Sequence, residues 1–113
     1  MTYDFAYETF RQIQDSPTTS PVIFELRGHF VDQAIRYARI RTDWQRADAG
    51  DRQDIDEART RAHNALIDAA NILSRAMSKE ELDCSWRQRL GNDRRTIGDF
   101  ACFLHCFLGL AAR

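Results

Sequence analysis

Between residues 57 and 75 six polar side chains recur at alternating spacings of four and three: Glu57, Arg61, Asn64, Asp68, Asn71 and Arg75. On an α-helix this spacing stacks them into one ladder. Arg supplies a planar, permanently charged fork, and Asn an amide that both donates and accepts. Such a ladder can hydrogen-bond the carboxylates, amides and backbone of another protein. Asn and Asp inside a helix lower its propensity, which points to a reward beyond local folding. The plainer alternative is a solvated face held by local side-chain pairs, and another is a buried network that fixes helix register. Arg59 and His63 lie one turn apart at the other edge of the apolar face. Together Arg59, Arg61, His63, Asn64, Asp68, Asn71 and Arg75 form the expected partner-binding surface. No catalytic residue, metal ligand or cofactor is assigned.

Other constellations carry less chemistry. An Arg followed by a His along a helix is similar to the arrangement in the HEPN ribonucleases, which are also small helical bundles and often dimers. Their signature needs a wider gap than the three residues Thr60, Arg61 and Ala62 found here. A HEPN-like or metal-dependent nucleic-acid hydrolase using Arg59, His63 and Asp68 is therefore the alternative reading. Cys84, Cys102, Cys106 and His105 could supply four ligands but lack the paired spacing of zinc sites. His105 also points away from the side shared by Cys102 and Cys106. Buried free thiols in apolar surroundings are the simpler reading. Glu25, His29 and Asp32 share a helix face, yet that face is opposite the apolar one, so solvent is expected there. No Gly-rich phosphate loop or nucleophile elbow occurs. The Arg residues alternate with acids such as Asp54, Asp56 and Glu57, so no net basic recognition face forms. A dimeric nucleic-acid-binding regulator is the third reading.

Composition bounds these options. The chain has 113 residues, 43% of them hydrophobic and 29% charged, a globular balance that suits one domain. Sixteen basic and seventeen acidic residues give a net charge of −1, which creates no field favouring nucleic acid or an anionic membrane. All the basic residues but Lys79 are Arg, a bias that coding composition can also produce. The cysteine count is odd and the N-terminal segment carries Asp4 and Glu8 rather than a leader, so a cytoplasmic location is expected. The apolar stretch 100–112 would span roughly 20 Å as a helix, too short for a bilayer.

The elements that must position these groups are all helical. Tyr3, Ala6, Phe10 and Ile13 make one apolar stripe over residues 2–15. The polar run 16–20 breaks it. Ser20-Pro21 then begins a second helix, predicted to reach residue 48 and to be closed by Ala49-Gly50. Its core face is Ile23, Leu26, Phe30, Ala34, Tyr37, Ala38, Ile40 and Trp44. Its outer face is Glu25, His29, Asp32, Arg36, Arg39, Asp43 and Arg46, with Asp32–Arg36 and Arg39–Asp43 as helix-spaced pairs. A third helix over 51–77 carries an alanine seam, Ala58, Ala62, Ala65, Ala69, Ile72 and Ala76, flanked by Leu66 and Leu73. Ser78-Lys79-Glu80-Glu81 reads as a capping box opening a short helix past Leu82, Cys84 and Trp86 to about residue 91. The last helix begins near residue 92 or 96, capped by Thr96 with Asp99 near its positive end. From Phe100 through Ala101, Phe103, Leu104, Phe107, Leu108 and Leu110 it is apolar almost all round and must be buried. The expected fold is all-α: a four- to five-helix bundle with two long antiparallel helices and a buried apolar C-terminal helix, in one domain over residues 1–113. That last helix is either the centre of a monomer or the seam of a homodimer, and the dimer is expected.

Three runs carry a family resemblance: Tyr37-Ala38 with Arg41-Thr42-Asp43-Trp44; Arg59-Thr60-Arg61-Ala62-His63-Asn64-Ala65-Leu66-Ile67-Asp68; and Leu90-Gly91-Asn92-Asp93-Arg94-Arg95-Thr96-Ile97-Gly98-Asp99-Phe100. Over about residues 30–113 the chain resembles a small bacterial family of helical proteins without an assigned activity. The resemblance implies a helical fold and directs interest to His63, Asn64, Asp68 and the segment before Ile97. The expected function is a non-enzymatic protein–protein interaction module. Its sharpest form, by analogy with small helical proteins of phages and mobile elements, is an anti-defence inhibitor of a host nuclease complex such as a CRISPR-type nuclease.

Overall fold

The computed structural model describes residues 1–109. Leu110, expected in the apolar helix, lies outside the described residues. Five helices follow in order: α1 (Tyr3–Asp15), α2 (Pro21–Arg46), α3 (Ala49–Lys79), α4 (Ser85–Leu90) and α5 (Arg94–Phe107). The fold is the expected all-α bundle. The long rods α2 and α3 run antiparallel, α5 lies on α2, α1 lies on α5, and the short α4 fills the space between α1, α3 and α5. No helix among the described residues is long and apolar enough to cross a membrane.

The starts of α1, α2 and α5 follow side chains that accept from free backbone N–H groups. Thr2 Oγ1 accepts from Phe5 N–H at 3.2 Å, and Ser20 Oγ from Ile23 N–H at 3.4 Å, with Pro21 in the first turn of α2. The start of α5 differs from expectation. Asp93, not Thr96, is its cap: Asp93 Oδ2 accepts from Thr96 N–H at 3.1 Å, and this backbone bond holds the carboxyl below its ordinary range. Asp99 therefore sits in the second turn, where its Oδ1 meets Arg41 Nη1 at 2.9 Å.

Two other boundaries move for physical reasons. Ala49-Gly50 opens α3 instead of closing α2, because Asp48 O accepts from both Asp51 N–H and Arg52 N–H at 3.0 Å. Arg52 then reaches back, its Nε donating to Trp44 O at 3.2 Å at the carbonyl end of α2. Ser78-Lys79-Glu80-Glu81 is no capping box; it ends α3. Leu82 N–H donates to Met77 O and Glu81 N–H to Ser78 O, both at 3.0 Å, with Glu81 at φ 60°. That is the Schellman arrangement, with Glu where glycine usually stands.

The core holds Ile23, Phe30, Ala34, Tyr37 and Ala38 of α2 and Ala62, Leu66, Ala69, Ala70, Leu73 and Met77 of α3. The α3 seam is rotated from the expected alanine row: Leu66 and Leu73 lie at its centre, and Ile72 is 43% exposed. Burying the larger Leu side chains removes more apolar area from water than burying Ala, so they set the rotation. On α1 the buried residues are Ala6, Thr9 and Ile13, and Tyr3 is exposed rather than packed inward. The outer face of α2 is exposed as expected, though neither Asp32–Arg36 nor Arg39–Asp43 closes into an ion pair. On α5, Ile97, Gly98, Phe100, Ala101 and Leu104 are buried, whereas Phe103 and Phe107 are half-buried and Cys106 and Leu108 exposed. This helix is thus buried on one face, not all round, and α2 is the central rod.

Gly98 sets the approach of α5 to α2. A Cβ there would lie 2.9 Å from Tyr37 Cε1 and 3.1 Å from Arg41 Nη1, whereas a Cβ on Gly28, exposed in mid-α2, meets nothing within 4 Å. Gly98→Ala gains about 1 kcal/mol of helix propensity but overpacks a buried ring, at about 1–3 kcal/mol. Urea denaturation should show net destabilisation for Gly98→Ala and about 1 kcal/mol of stabilisation for Gly28→Ala. Equal gains in both would mean that α5 does not press on Tyr37.

Candidate partner-binding surface

The outward face of α3 carries the ladder. Glu57, Arg61, Asn64, Asp68 and Arg75 are exposed, and their contacts are local. The Arg61 guanidinium pairs with the Glu57 carboxylate one turn back, and Arg75 Nε donates to the Asn71 carbonyl at 3.3 Å. The solvated arrangement therefore describes these five side chains, and each presents polar atoms to water.

Asn71 leaves the ladder. Its Oδ1 accepts from Arg87 Nε at 2.8 Å, and Arg87 also donates from Nη1 to Gly91 O at 2.8 Å and from Nη2 to Asn92 Oδ1. Arg87 thereby ties α4 and the turn after it to α3. An open polar groove of about 560 Å³ lies here, lined by residues including Asn71, Ser74, Arg75 and Arg87. Burial draws the Arg87 pKa down; an arginine side chain nonetheless stays charged in a protein.

Arg59 and His63 face a junction of α2, α3 and α5. The Arg59 guanidinium lies 4.0 Å over the Trp44 ring, and its Nη2 donates to Asp56 Oδ1 at 2.8 Å. Its Nε is buried without a partner. His63 Nε2 stands 3.1 Å from the Asn92 carbonyl, which can only accept, so this nitrogen carries a proton in that contact. The His63 ring lies 6.2 Å from that of Tyr37. Burial pushes the Tyr37 hydroxyl up, and the positive fields of Arg41, Arg59 and Arg94 partly counter it. Arg94 Nη2 donates to Thr60 Oγ1 at 2.8 Å. Asp68, five residues past His63, projects roughly 140° away around the helix axis. The structure does not bring Arg59, His63 and Asp68 together.

Cys102 and Cys106 stand one turn apart and line one pocket, of which Cys84 is no part. Cys84 Sγ lies 3.2 Å from Ser74 O and 3.3 Å from Leu82 O, and its one proton is shared between these carbonyls. Burial pushes the Cys84 and Cys102 thiols up, away from thiolate character. Cys106, expected to be buried, is exposed. No group of three or more His, Cys, Asp or Glu side chains that could hold a metal ion occurs among the described residues. Glu25, His29 and Asp32 are exposed on α2.

One surface escaped the sequence reading. Tyr3 and Tyr7 stack with an interplanar angle of 2° and centroids 6.3 Å apart. Both meet Phe107 edge-on, at 5.1 and 5.4 Å, and Tyr3 also meets Phe103 edge-on at 6.1 Å. Phe10 closes the group at 5.9 Å from Phe107. Tyr3 is 56% exposed and Tyr7 42%. The available signal was tyrosine, rather than leucine or isoleucine, at positions four apart: an apolar body with a tip that prefers water. Compared with family models, curated proteins and solved structures, the chain matches none.

Proposed function

We propose that this chain is a non-enzymatic protein–protein interaction module. The observation that carries this reading is the aromatic array of α1 and α5. Edge-to-face and stacked contacts fix ring positions before any partner arrives, so little side-chain entropy is left to lose on binding. Tyrosines half in water and half on a packed floor are the side chains that protein interfaces favour. A second surface is available on α3, where Arg61, Asn64, Asp68 and Arg75 project outward. Arg59, His63 and Asn71 belong to the same reading only as supports, since each is engaged within the fold. The sharpest form of the proposal is an anti-defence inhibitor that docks on a host nuclease complex. Asp48, Asp51, Asp54 and Glu57, exposed at three-residue spacing along the start of α3, suit the basic surface of such a partner. A place in the small bacterial helical family suggested by residues 30–113, and a cytoplasmic location, belong to this same proposal.

The test is affinity capture from host lysate with wild type and an Arg61/Asp68/Arg75 triple-alanine variant. All three positions are exposed, so the variant should fold. The expected outcome is a nuclease-complex subunit retained by wild type and lost by the variant. Identical partner sets would remove the α3 face as an interface.

A further inference from the structure

The aromatic array adjoins a charge pattern that is complementary to itself. On α1 the exposed acids Asp4 and Glu8 lie toward the N-terminal end, and the exposed Arg11 lies one turn beyond Tyr7. Asp4 and Arg11 stand about 20° apart around the axis, on the rim next to the Tyr3–Tyr7 flank. Arg11 uses Nε to bind Asp15 Oδ2 at 3.0 Å, and its two terminal nitrogens make no hydrogen bond among the described residues. Two antiparallel copies of α1 related by a two-fold axis beside Tyr7 would pair residue 4 of each with residue 11 of the other. The axis that stacks the tyrosine flanks on each other therefore also sets Asp4 against Arg11 twice.

We propose that the partner seated on this face is a second copy of the chain, in an isologous dimer whose seam is α1 against α1, antiparallel. The proposal rests on the interaction reading above and names the occupant. In a two-fold interface one patch serves both sides, so it must carry both halves of each polar pair, and α1 does. Tyr3, Tyr7 and Phe107 supply the apolar centre, and the Asp4–Arg11 pairs form a rim that fixes direction, because in parallel copies residues 4 and 11 lie about 10 Å apart along the axis and could not pair. The seam thus differs from a dimer built on α5 alone: α5 contributes its end, and α1 the axis.

Sedimentation equilibrium on the full chain tests this. Wild type should sediment as a dimer of 13.1 kDa protomers. Tyr7→Ser and Arg11→Glu should each weaken association at least about tenfold, and the double swap Asp4→Arg/Arg11→Glu should restore it. These sites are exposed, and far-ultraviolet circular dichroism checks that helix content is unchanged. A wild-type dimer whose affinity ignores Arg11→Glu, or a double swap that fails to recover it, overturns the α1 seam. A wild-type monomer overturns the second copy as occupant. In that last case, a Tyr7→Ser variant that loses a partner captured by wild type would leave the interaction reading standing.

Discussion

Replacing Leu104 with Asp is expected to unfold the protein. Leu104 is 0% exposed in α5 and belongs to the core shared with α2. An Asp there forfeits about 1.5–3 kcal/mol of apolar burial. It also places a carboxylate in the core, where burying a charge costs a further several kcal/mol. A domain of this size has about 5–15 kcal/mol of stability in total, and small domains sit at the low end. The far-ultraviolet spectrum at neutral pH should lose its helical minima. Acidification that neutralises the carboxyl should recover part of the fold, because burial favours the protonated form. Phe103→Asp, one position earlier, is a different experiment. Phe103 is half-buried at the seam of α1 and α5, so its carboxylate can reach water. From the sequence both substitutions look equally severe; the structure separates them. A Leu104→Asp protein with the wild-type unfolding curve would mean that α5 is not seated on α2.

Trp86→Ala is expected to cost about 3–5 kcal/mol. Trp86 is fully buried, 5.8 Å from the Phe30 ring, and Phe30 in turn lies 6.1 Å from Phe100. One indole therefore joins α4 to α2 and, through Phe30, to α5. Its helix has six residues, too few to hold a helical form without tertiary packing. Truncation removes both the anchor and the reason for α4 to be helical. Trp86→Phe should behave otherwise. The indole Nε1 is buried with no hydrogen-bond partner, a burden of about 1–3 kcal/mol. Phenylalanine gives up some volume but sheds that donor, and the two effects oppose. Urea denaturation should place Trp86→Phe within about 1.5 kcal/mol of wild type, with Trp44 left as the fluorophore. A Phe variant as weak as the Ala variant would mean that the indole nitrogen is satisfied in solution.

Helical periodicity was legible in the chain because it depends on where oily residues recur, not on what they touch. Ser20-Pro21 marks a start by chemistry confined to one turn, and the charged outer face of α2 follows from spacing alone. Other features needed partners distant in sequence. Arg27 looks like a surface cation, yet it is buried, with Nη2 donating to Ser16 O at 2.7 Å at the carbonyl end of α1. Burial draws its pKa down and the charge of Asp15 opposes this, a balance that no local window contains. Asn71 looks like a rung of the ladder until Arg87 of α4 takes its amide oxygen. Tyr3 reads as core by period and lies outside because Ala6 and Ile13 fill the inner face. Glu81 holds a left-handed turn because Leu82 must fold back to reach the Met77 carbonyl. The sequence by itself determined the all-helical class, a bundle of four to five helices and the two long rods, since those rest on local torsions and a 3.6-residue repeat. The tertiary structure alone decided which stripe faces in, where helices stop and which polar groups remain open to a partner, because those depend on volumes and charges brought together from remote parts of the chain.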